Sequence, residues 1–422
     1  MTRNILQCPV SISRVKLCLP GGALLLAVQL FCLLFASSSL HAQTFKVLHA
    51  FTGKGDGENP LAGLTIDSAG NLYGTTSEGG AFDVGTVFEI DAQGKESILH
   101  SFWGGDGLGP MASVIRTATG VFYGTAMNGG KPEGGTCDHG CGTLFELDAA
   151  GKIAAGKIKV LYAFTGGTDG GQIEAGIVQD EKGNLYGTAT QGGDMSCDYG
   201  WGCGVVFKVD GDGKETVLHA FTGQPDGWLV SGNLVRDSMG NLYGVTEAGG
   251  TSNVGTVFKV DPSGNETVLY SFLGTVNGLY PQGPLLRDAA GNFYGVAQQG
   301  GDFECGVVFK LDNTGEETTL YNFAGTTDGC NPAGGLIRDS QGNLYGAATA
   351  GGAGTGGTIY RLDASGSIAV LYSFAGGSDG KYPWGPLALD KSGRLYGTTY
   401  GGGDISCGTN SFGCGVVFKI EP

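Results

Sequence analysis

The sequence has 422 residues, of which 82 are glycine, 41% are hydrophobic and only 15% are charged. This composition excludes a disordered acidic chain, which has fewer apolar residues, and it excludes a helical bundle, in which glycine is rare. After Ala42 the chain carries 21 basic and 40 acidic side chains, a net charge of −19, because three of the 24 basic residues lie before that point. Nucleic acid and anionic membrane surfaces are therefore not expected partners, since both attract basic proteins.

The first 42 residues have the organisation of a secretory signal peptide. Three basic side chains precede an apolar stretch at positions 23–36, and small residues precede Gln43. We expect cleavage after Ala42. An uncleaved anchor is the alternative, but the apolar stretch is shorter than the ~20 residues that span a bilayer. The sequence predicts a protein that is secreted or periplasmic, with no stable membrane insertion after cleavage.

The remaining chain, residues 43–422, contains seven copies of one unit. A Tyr-Gly pair recurs at intervals of 50 to 63 residues, and a Gly-Gly pair follows each of these tyrosines six and seven positions later. A regular spacing of about this length is the signature of stacked structural units. The seven tyrosines are Tyr73, Tyr123, Tyr186, Tyr243, Tyr294, Tyr345 and Tyr396.

Each unit contains four apolar runs separated by Gly, Asp, Asn and Pro, which predict four strands, A to D. The A–B and C–D connections are short Asp-x-x-Gly turns, typical of tight hairpins, whereas the B–C and D–A connections are longer. We call the face of the sheet assembly that carries the B–C and D–A connections the loop face. Leu242 and Tyr243 are adjacent and both apolar, although they point to opposite sides of a strand. Both sides of each sheet are therefore predicted to be buried.

A small sheet buried on both sides and repeated seven times predicts an all-β fold, a seven-bladed β-propeller with four antiparallel strands per blade. The chain after the signal begins with a D-like strand at 46–51 and ends with a C-like strand at 415–420. We expect the N-terminal strand to complete the last blade, so that no unpaired sheet is left between the start and the finish of the ring. An open solenoid is the alternative, but it would need capping units, which the sequence lacks.

The repeated residues also carry a family resemblance. The pattern L-x-x-F-x-G-x-x-D-G-x-x-P, followed by G-N-L-Y-G-T-T-x-x-G-G and G-T-V-F, resembles the Gloeo/Verruco (GloVer) tandem repeat of exported bacterial proteins. The resemblance covers residues 44–420. It implies an exported location and implies no reaction or substrate. The strand order also resembles the NHL type of propeller repeat, which is mainly a binding scaffold.

Eight cysteines follow the predicted cleavage site. Six form close pairs in the three longest B–C loops, where a metal site that includes His139 is the alternative to disulfide bonds; export favours disulfides. Cys305 has no second cysteine in its own loop, whereas Cys330 lies in the D–A loop that leaves the same blade on the same face. The predicted bonds are Cys137–Cys141, Cys197–Cys203, Cys305–Cys330 and Cys407–Cys414.

Other residues that could act in catalysis or bind ions have plain structural explanations. His49, His100 and His219 occupy a D-strand position that is tyrosine in the other units, which indicates packing. Six D–A loops contain an Asp-Gly pair that could form a ring of cation ligands but is also an ordinary turn. We expect no catalytic residue, no metal site and no cofactor. The six aspartates are Asp56, Asp106, Asp169, Asp226, Asp328 and Asp379.

The aromatic residues of the loop face are the candidate ligand-binding residues. Such side chains can stack on sugars or anchor a protein contact, or they can cover the ends of their own blades. We predict a monomeric binding scaffold for a glycan or an extracellular protein. The alternative is a polysaccharide or glycopeptide lyase or hydrolase that acts at the channel mouth. The candidates are Trp103, Trp201, Trp228, Trp384, Tyr280 and Tyr382.

Overall fold

The structure is a computed structural model that describes residues 43–130, 135–148, 158–197, 200–407 and 412–421. The predicted signal peptide, residues 1–42, lies outside the described residues. The described chain is a seven-bladed β-propeller of 28 strands, with four antiparallel strands in each blade. The described residues contain no helix long and apolar enough to cross a membrane.

The strands of each blade run from A, next to the central channel, to D at the outside. The chain begins with β1 (Thr44–Ala50) and then forms blade 1 from β2 (Thr65–Ile66), β3 (Leu72–Thr76), β4 (Thr86–Ile90) and β5 (Glu96–Ser101). Blade 2 contains β6 (Ile115–Arg116), β7 (Val121–Ala126), β8 (Thr143–Asp148) and β9 (Ile158–Ala163). Blade 3 contains β10 (Val178–Gln179), β11 (Leu185–Ala189), β12 (Val205–Val209) and β13 (Glu215–Ala220).

Blades 4 to 6 have longer A strands than the other blades. Blade 4 contains β14 (Trp228–Arg236), β15 (Leu242–Ala248), β16 (Thr256–Val260) and β17 (Glu266–Ser271). Blade 5 contains β18 (Leu279–Arg287), β19 (Phe293–Gln299), β20 (Val307–Leu311) and β21 (Glu317–Asn322). Blade 6 contains β22 (Cys330–Arg338), β23 (Leu344–Ala350), β24 (Thr358–Leu362) and β25 (Ile368–Ser373). Blade 7 contains β26 (Ala388–Leu389), β27 (Leu395–Thr399) and β28 (Val416–Glu421).

The N-terminal strand β1 completes blade 7. It pairs antiparallel with β28, from Thr44 opposite Glu421 to Ala50 opposite Val416. The strand order of this sheet is β1, β28, β27, β26. The predicted fold class, and the predicted closure of the ring by the first strand, are therefore confirmed.

A hydrogen-bond network centred on an aspartate holds six of the seven A–B turns, as blade 4 illustrates, whereas Thr117 takes the place of the aspartate in blade 2. Asp237 Oδ1 accepts hydrogen bonds from the backbone N–H groups of Met239 and Asn241 at 3.0 and 2.9 Å. Its Oδ2 accepts from Asn241 Nδ2 at 2.8 Å and from the Tyr243 hydroxyl at 3.0 Å. Burial alone would raise the pKa of Asp237, but these bonds outweigh it and hold the pKa below its usual range. The repeated tyrosine is therefore an anchor for the turn.

An aromatic pair joins every blade to the next one. Phe272, which follows the D strand of blade 4, meets Phe309 in the C strand of blade 5 edge to face, with ring centroids 5.1 Å apart. Both rings are fully buried. Such pairs add stability beyond the area that they bury. The other six are Phe51–Phe88, Phe102–Phe145, Phe164–Phe207, Phe221–Phe258, Phe323–Tyr360 and Phe374–Phe418.

The glycine of each Tyr-Gly pair leaves room for this aromatic ring. A Cβ atom at Gly244 would lie 2.6 Å from Cζ of Phe258, closer than carbon atoms pack. Tyrosine and glycine therefore recur together for two different reasons. The first anchors the A–B turn, and the second lets the ring of the C strand cross the middle of the blade.

Blade 6 departs from the pattern and offers a test of this packing. Tyr360 stands where the other blades have phenylalanine, and its buried hydroxyl has no hydrogen-bond partner in the described part of the chain. We expect Tyr360→Phe to raise the free energy of unfolding by about 1 kcal/mol, because it removes an unsatisfied buried polar group. Phe309→Tyr is the matched reverse change and should lower stability by a similar amount. Thermal unfolding measures both, and a Tyr360→Phe protein that melts below the parent would contradict this account.

Candidate functional site

The innermost strands enclose a pocket in the central channel, near the loop face. Its volume is about 190 Å³, and residues from all seven blades line it. The A strands of neighbouring blades approach so closely here that glycine is required. At Gly283, where φ is +74°, a Cβ atom would lie 2.6 Å from the backbone nitrogen of Gly335. This close approach narrows the channel to a pocket of small-molecule size.

One position of the repeat lines this pocket and carries a different residue in every blade. In all seven blades it follows Pro, Ile or Val and precedes Ala or Gly, so its surroundings are constant while the side chain changes. We call these residues the channel ring. All of them except the alanine line the pocket. In blade order they are Leu61, Met111, Glu174, Ser231, Gln282, Ala333 and Trp384.

The channel ring has a polar side and an apolar side. Blades 3, 4 and 5 contribute a carboxyl, a hydroxyl and an amide, whereas blades 7, 1 and 2 contribute an indole, a leucine and a methionine. Each set comes from three consecutive blades, so the two sets occupy opposite halves of the ring. A ligand in the pocket would therefore meet hydrogen-bonding groups along one edge and hydrocarbon along the other.

Two glutamates lie on the polar side. Glu247, at the loop-face end of β15, is half-buried and accepts a hydrogen bond from Gln282 Nε2 at 3.0 Å. Burial raises the pKa of Glu247, although hydrogen bonds from Gln282 and Ser231 oppose the shift. Glu174 projects into the open channel and keeps exposed surface. The surrounding protein still removes part of its hydration, and this burial together with the charge of Glu247 raises the pKa of Glu174.

Four of the six aromatic residues predicted from sequence are exposed on the loop face. Trp103 and Trp201 expose 61% and 56% of their surface, and Trp384 and Tyr280 expose 39% and 37%. Trp384 is the member of this set that also lines the channel pocket. The exposed aromatics of the loop face therefore include one residue of the channel pocket and three residues outside it.

The other two predicted aromatic residues are partly covered. The indole Nε1 of Trp228 donates a hydrogen bond to Asn253 Oδ1 at 3.3 Å, and the ring packs against the core of blades 3 and 4. Tyr382 stacks on Phe412 with ring centroids 5.5 Å apart. These contacts are those of side chains that cover the ends of their own blades.

Large apolar side chains that are exposed concentrate on the loop face. Among the described residues twelve such side chains are exposed, and only Met239 and Val370 lie elsewhere. The ten on the loop face are Phe82, Trp103, Met195, Trp201, Leu273, Val276, Tyr280, Phe303, Trp384 and Ile405.

The D–A aspartates close turns and hold the D strands. Asp226 accepts hydrogen bonds from the backbone N–H and the hydroxyl of Thr222, and its Oδ2 lies 3.2 Å from Nε2 of His219. The same pairing joins a D-strand histidine or tyrosine to the aspartate at five other blade ends. Each of the six aspartates accepts a backbone hydrogen bond from its own loop, as in an ordinary Asp-Gly turn.

All four predicted disulfide bonds are present. The bond between Cys305 and Cys330 joins Cα atoms 4.6 Å apart and fastens the crossing from blade 5 to blade 6. The backbone N–H of Asn331 donates to the carbonyl of Cys305 at 2.9 Å in the same crossing. Because the sulfurs are bonded to each other, they are not thiolate ligands for a metal. Four disulfide bonds are typical of proteins outside the reducing cytosol.

Three half-buried glutamates at blade junctions were not identified from the sequence as groups with a shifted pKa. Burial raises the pKa of each to about 7, and a neighbouring aspartate adds to the shift, offset in part at Glu266 by His219. In each case Oε1 is buried without a hydrogen-bond partner among the described residues. The pairs are Glu96 with Asp56, Glu215 with Asp169 and Glu266 with Asp226.

The raised pKa values of these glutamates predict how the free energy of unfolding changes with pH. Their folded-state pKa lies above the unfolded value of 4.5, so each stabilises the fold fully below that value and loses this contribution as the pH rises through about 7. We expect the triple variant with Glu96, Glu215 and Glu266 replaced by Gln to gain about 1 kcal/mol per site over the parent at pH 8, after allowance for partial burial, and little at pH 5.

The difference in melting temperature between variant and parent, followed from pH 5 to pH 8, isolates these groups from all others. Glu317→Gln is the control, because Glu317 faces Asn277 and receives hydrogen bonds from Asn277 Nδ2 and the Tyr270 hydroxyl. The Glu317→Gln variant should gain less stability over the parent at pH 8 than the triple variant does. A triple variant with no advantage at pH 8 would refute the assignment.

The family relationship rests on the whole repeat region. The family model of the Gloeobacter/Verrucomicrobia repeat matches residues 34–201, 134–341 and 196–411. The chain belongs to this family. No curated protein matches the sequence.

Solved structures share the propeller architecture at low sequence identity. The extracellular domain of a proposed one-component system from B. thetaiotaomicron aligns with a TM-score of 0.55 at 11% identity, over 89% of this chain and 40% of that one. This chain therefore spans less than half the length of that domain. A fungal alcohol oxidase of the AA5 family, in complex with copper, aligns with a TM-score of 0.53 at 14% identity, over 90% and 76% of the two chains. At such identities the likeness establishes the fold alone.

Sequence reasoning missed the channel ring. The repeats are recognised by the residues that they share, whereas the channel ring is a position at which they differ. An alignment of the seven units on the Ala or Gly that follows the ring position places Glu174, Ser231, Gln282 and Trp384 in one column. Glu247, by contrast, lies in another column, and only the fold brings it to the same pocket.

Proposed function

We propose that the protein is an exported binding scaffold that captures a glycan or an extracellular protein through its loop face. The observation that carries this proposal is the concentration of ten exposed, large apolar side chains on that face. Single exposed apolar residues are ordinary on a protein surface, but their collection on one face is typical of an interaction site.

One position of the repeat places an exposed apolar side chain on the loop face in four blades. In blades 1, 3, 5 and 7 the second residue after the Gly-Gly pair is large and apolar, and its exposed fraction lies between 44% and 61%. Because these side chains project into solvent in the free protein, contact with a partner would bury them favourably. The four residues are Phe82, Met195, Phe303 and Ile405.

Charge narrows the class of partner. The propeller is strongly acidic, with a sequence pI of about 4.6 for the whole chain. Long-range repulsion therefore disfavours acidic partners and favours neutral or basic ones. The signal-like N-terminus and four disulfide bonds support action outside the cytosol, in the periplasm or beyond the cell. The pairing of β1 with β28 covers a strand edge that could otherwise pair with another copy, which supports a monomer.

The test combines a glycan array with affinity capture of extracellular proteins by the purified exported protein. Replacing Trp103 and Trp201 together by Ala should weaken binding of the captured partner at least about tenfold, because exposed tryptophans dominate such contacts. Met239→Ala is the control, since Met239 is 73% exposed on the A–B turns of the opposite face. Unchanged binding by the double variant, or loss of binding in the control, would refute the loop-face assignment.

A second candidate function is hydrolysis or lyase chemistry on a polysaccharide, which the two glutamates of the channel favour. Paired carboxyl groups with raised pKa values are the groups that glycoside-cleaving enzymes use as acid and base. The check is release of new sugar ends from a panel of polysaccharides. Activity that disappears in both Glu174→Gln and Glu247→Gln would establish this function, and absence of activity across the panel would remove it.

A further inference from the structure

The channel pocket indicates a more specific ligand than the loop face as a whole. We propose that it binds a single sugar ring, either neutral or carrying an amino group, and rejects acidic sugars. The ring can be a free monosaccharide or the end of a glycan. This inference rests on the proposed function and adds the chemical class of the ligand.

The first argument is size. A pocket of about 190 Å³ holds about six waters at the ~30 Å³ that each occupies in the liquid. This volume is below the ~300 Å³ at which pockets for drug-sized ligands begin. One six-membered ring with its substituents fits this space, whereas a longer oligosaccharide or a folded peptide does not enter it.

The second argument is the apolar half of the pocket. Trp384 exposes 39% of its surface beside Leu61 and Met111, so a flat indole and two aliphatic side chains face the open channel. The backbone under the indole is held firmly, because Gly385 packs so closely on Ala62 that a Cβ atom there would lie 2.6 Å from the Ala62 carbonyl carbon. A rigid aromatic surface of this kind suits the C–H face of a sugar ring.

The third argument is the polar half. Glu247 is oriented by Gln282, and Asn233 Oδ1 accepts the backbone N–H of Gly176 at 2.6 Å, which turns the Asn233 amide donors to other partners. Glu174, in contrast, receives no hydrogen bond from the described residues. Its carboxyl is an acceptor that a ligand hydroxyl or ammonium can satisfy.

The fourth argument is that the fold does not need the carboxyl group of Glu174. Other blades place Leu, Met or Ala at the position of Glu174 and form the same sheet. None of the described residues that line the pocket is basic, so the two carboxyl groups repel each other without a compensating cation. A costly arrangement that folding does not require is typical of a binding site. A third carboxylate, brought by an acidic sugar, would add to the repulsion, whereas an ammonium group would relieve it.

The test is isothermal titration calorimetry of the whole exported protein at pH 7. The probes are D-glucose, D-galactose and D-mannose, each with its 2-amino form and its uronic acid. In at least one of these three series we expect the neutral and amino forms to bind, and the uronic acid to bind at least about tenfold more weakly. Absence of binding in all three series, or a uronic acid that binds as well as its neutral form, would overturn the proposal.

Two variants locate the binding. Glu174→Gln should weaken the amino form about tenfold and the neutral form less, because only the first loses a charge-assisted hydrogen bond. Trp384→Ala should weaken every form. Both should melt near the parent temperature, since the position accepts polar, small and apolar residues in other blades. Met239→Ala, on the A–B turns of the opposite face, is the control outside the pocket and should bind as the parent does. Equal losses in Met239→Ala and Trp384→Ala would overturn the assignment to the channel.

Different results would refute the loop-face proposal and the pocket proposal. If a polymer or protein partner binds and depends on Trp103 and Trp201, but no monosaccharide binds, the pocket proposal is wrong and the loop-face proposal stands. If monosaccharides bind in the channel but no polymer or protein is captured, the loop-face proposal is wrong as stated and the pocket is the functional site.

Discussion

The edge-to-face aromatic pair between neighbouring blades is the contact on which the rest of the molecule depends. The pair recurs at all seven junctions, edge to face at six of them and tilted at Phe164–Phe207, with ring centroids 4.9 to 5.3 Å apart, so the blades are spaced almost uniformly. The glycine beneath each C-strand ring allows this spacing, and the same spacing brings the A strands together at the centre. The narrow channel pocket is therefore a result of packing that takes place near the middle of each sheet.

The carboxyl groups of this acidic protein differ in whether their own chain supplies hydrogen-bond donors. Those of the A–B turns and D–A loops are surrounded by backbone and side-chain donors, and their removal would leave a turn unsupported. Glu174 has no such donors among the described residues, and its equivalents in other blades carry no charge. The lack of donors separates Glu174 from the turn aspartates. Its exposure to the open channel separates it from Glu96, Glu215 and Glu266, whose buried Oε1 atoms also lack donors in the described part of the chain.

Local and repeated features of this protein were accessible from sequence, whereas the contents of the channel were not. Strand runs, Asp-x-x-Gly turns and matching termini predict the blades and their closure, and the face assignment was sufficient to pair Cys305 with Cys330. Glu174 and Glu247 are 73 positions apart in different columns of the repeat, and no periodic signal connects them. Likewise, sequence could not separate exposed Trp103 from covered Trp228, because that difference depends on Asn253 of a neighbouring loop.

The pairing of β1 with β28 also determines when the molecule can finish folding. Thr44 and Glu421, which meet in this pairing, are 377 positions apart, so the strand synthesised first must wait for the strand synthesised last. Contacts of such long range form late and slowly. Six blades can assemble progressively as the chain emerges, but the seventh cannot. A chain that lacks β28 therefore exposes the unpaired edge of β1 to proteases and to other chains.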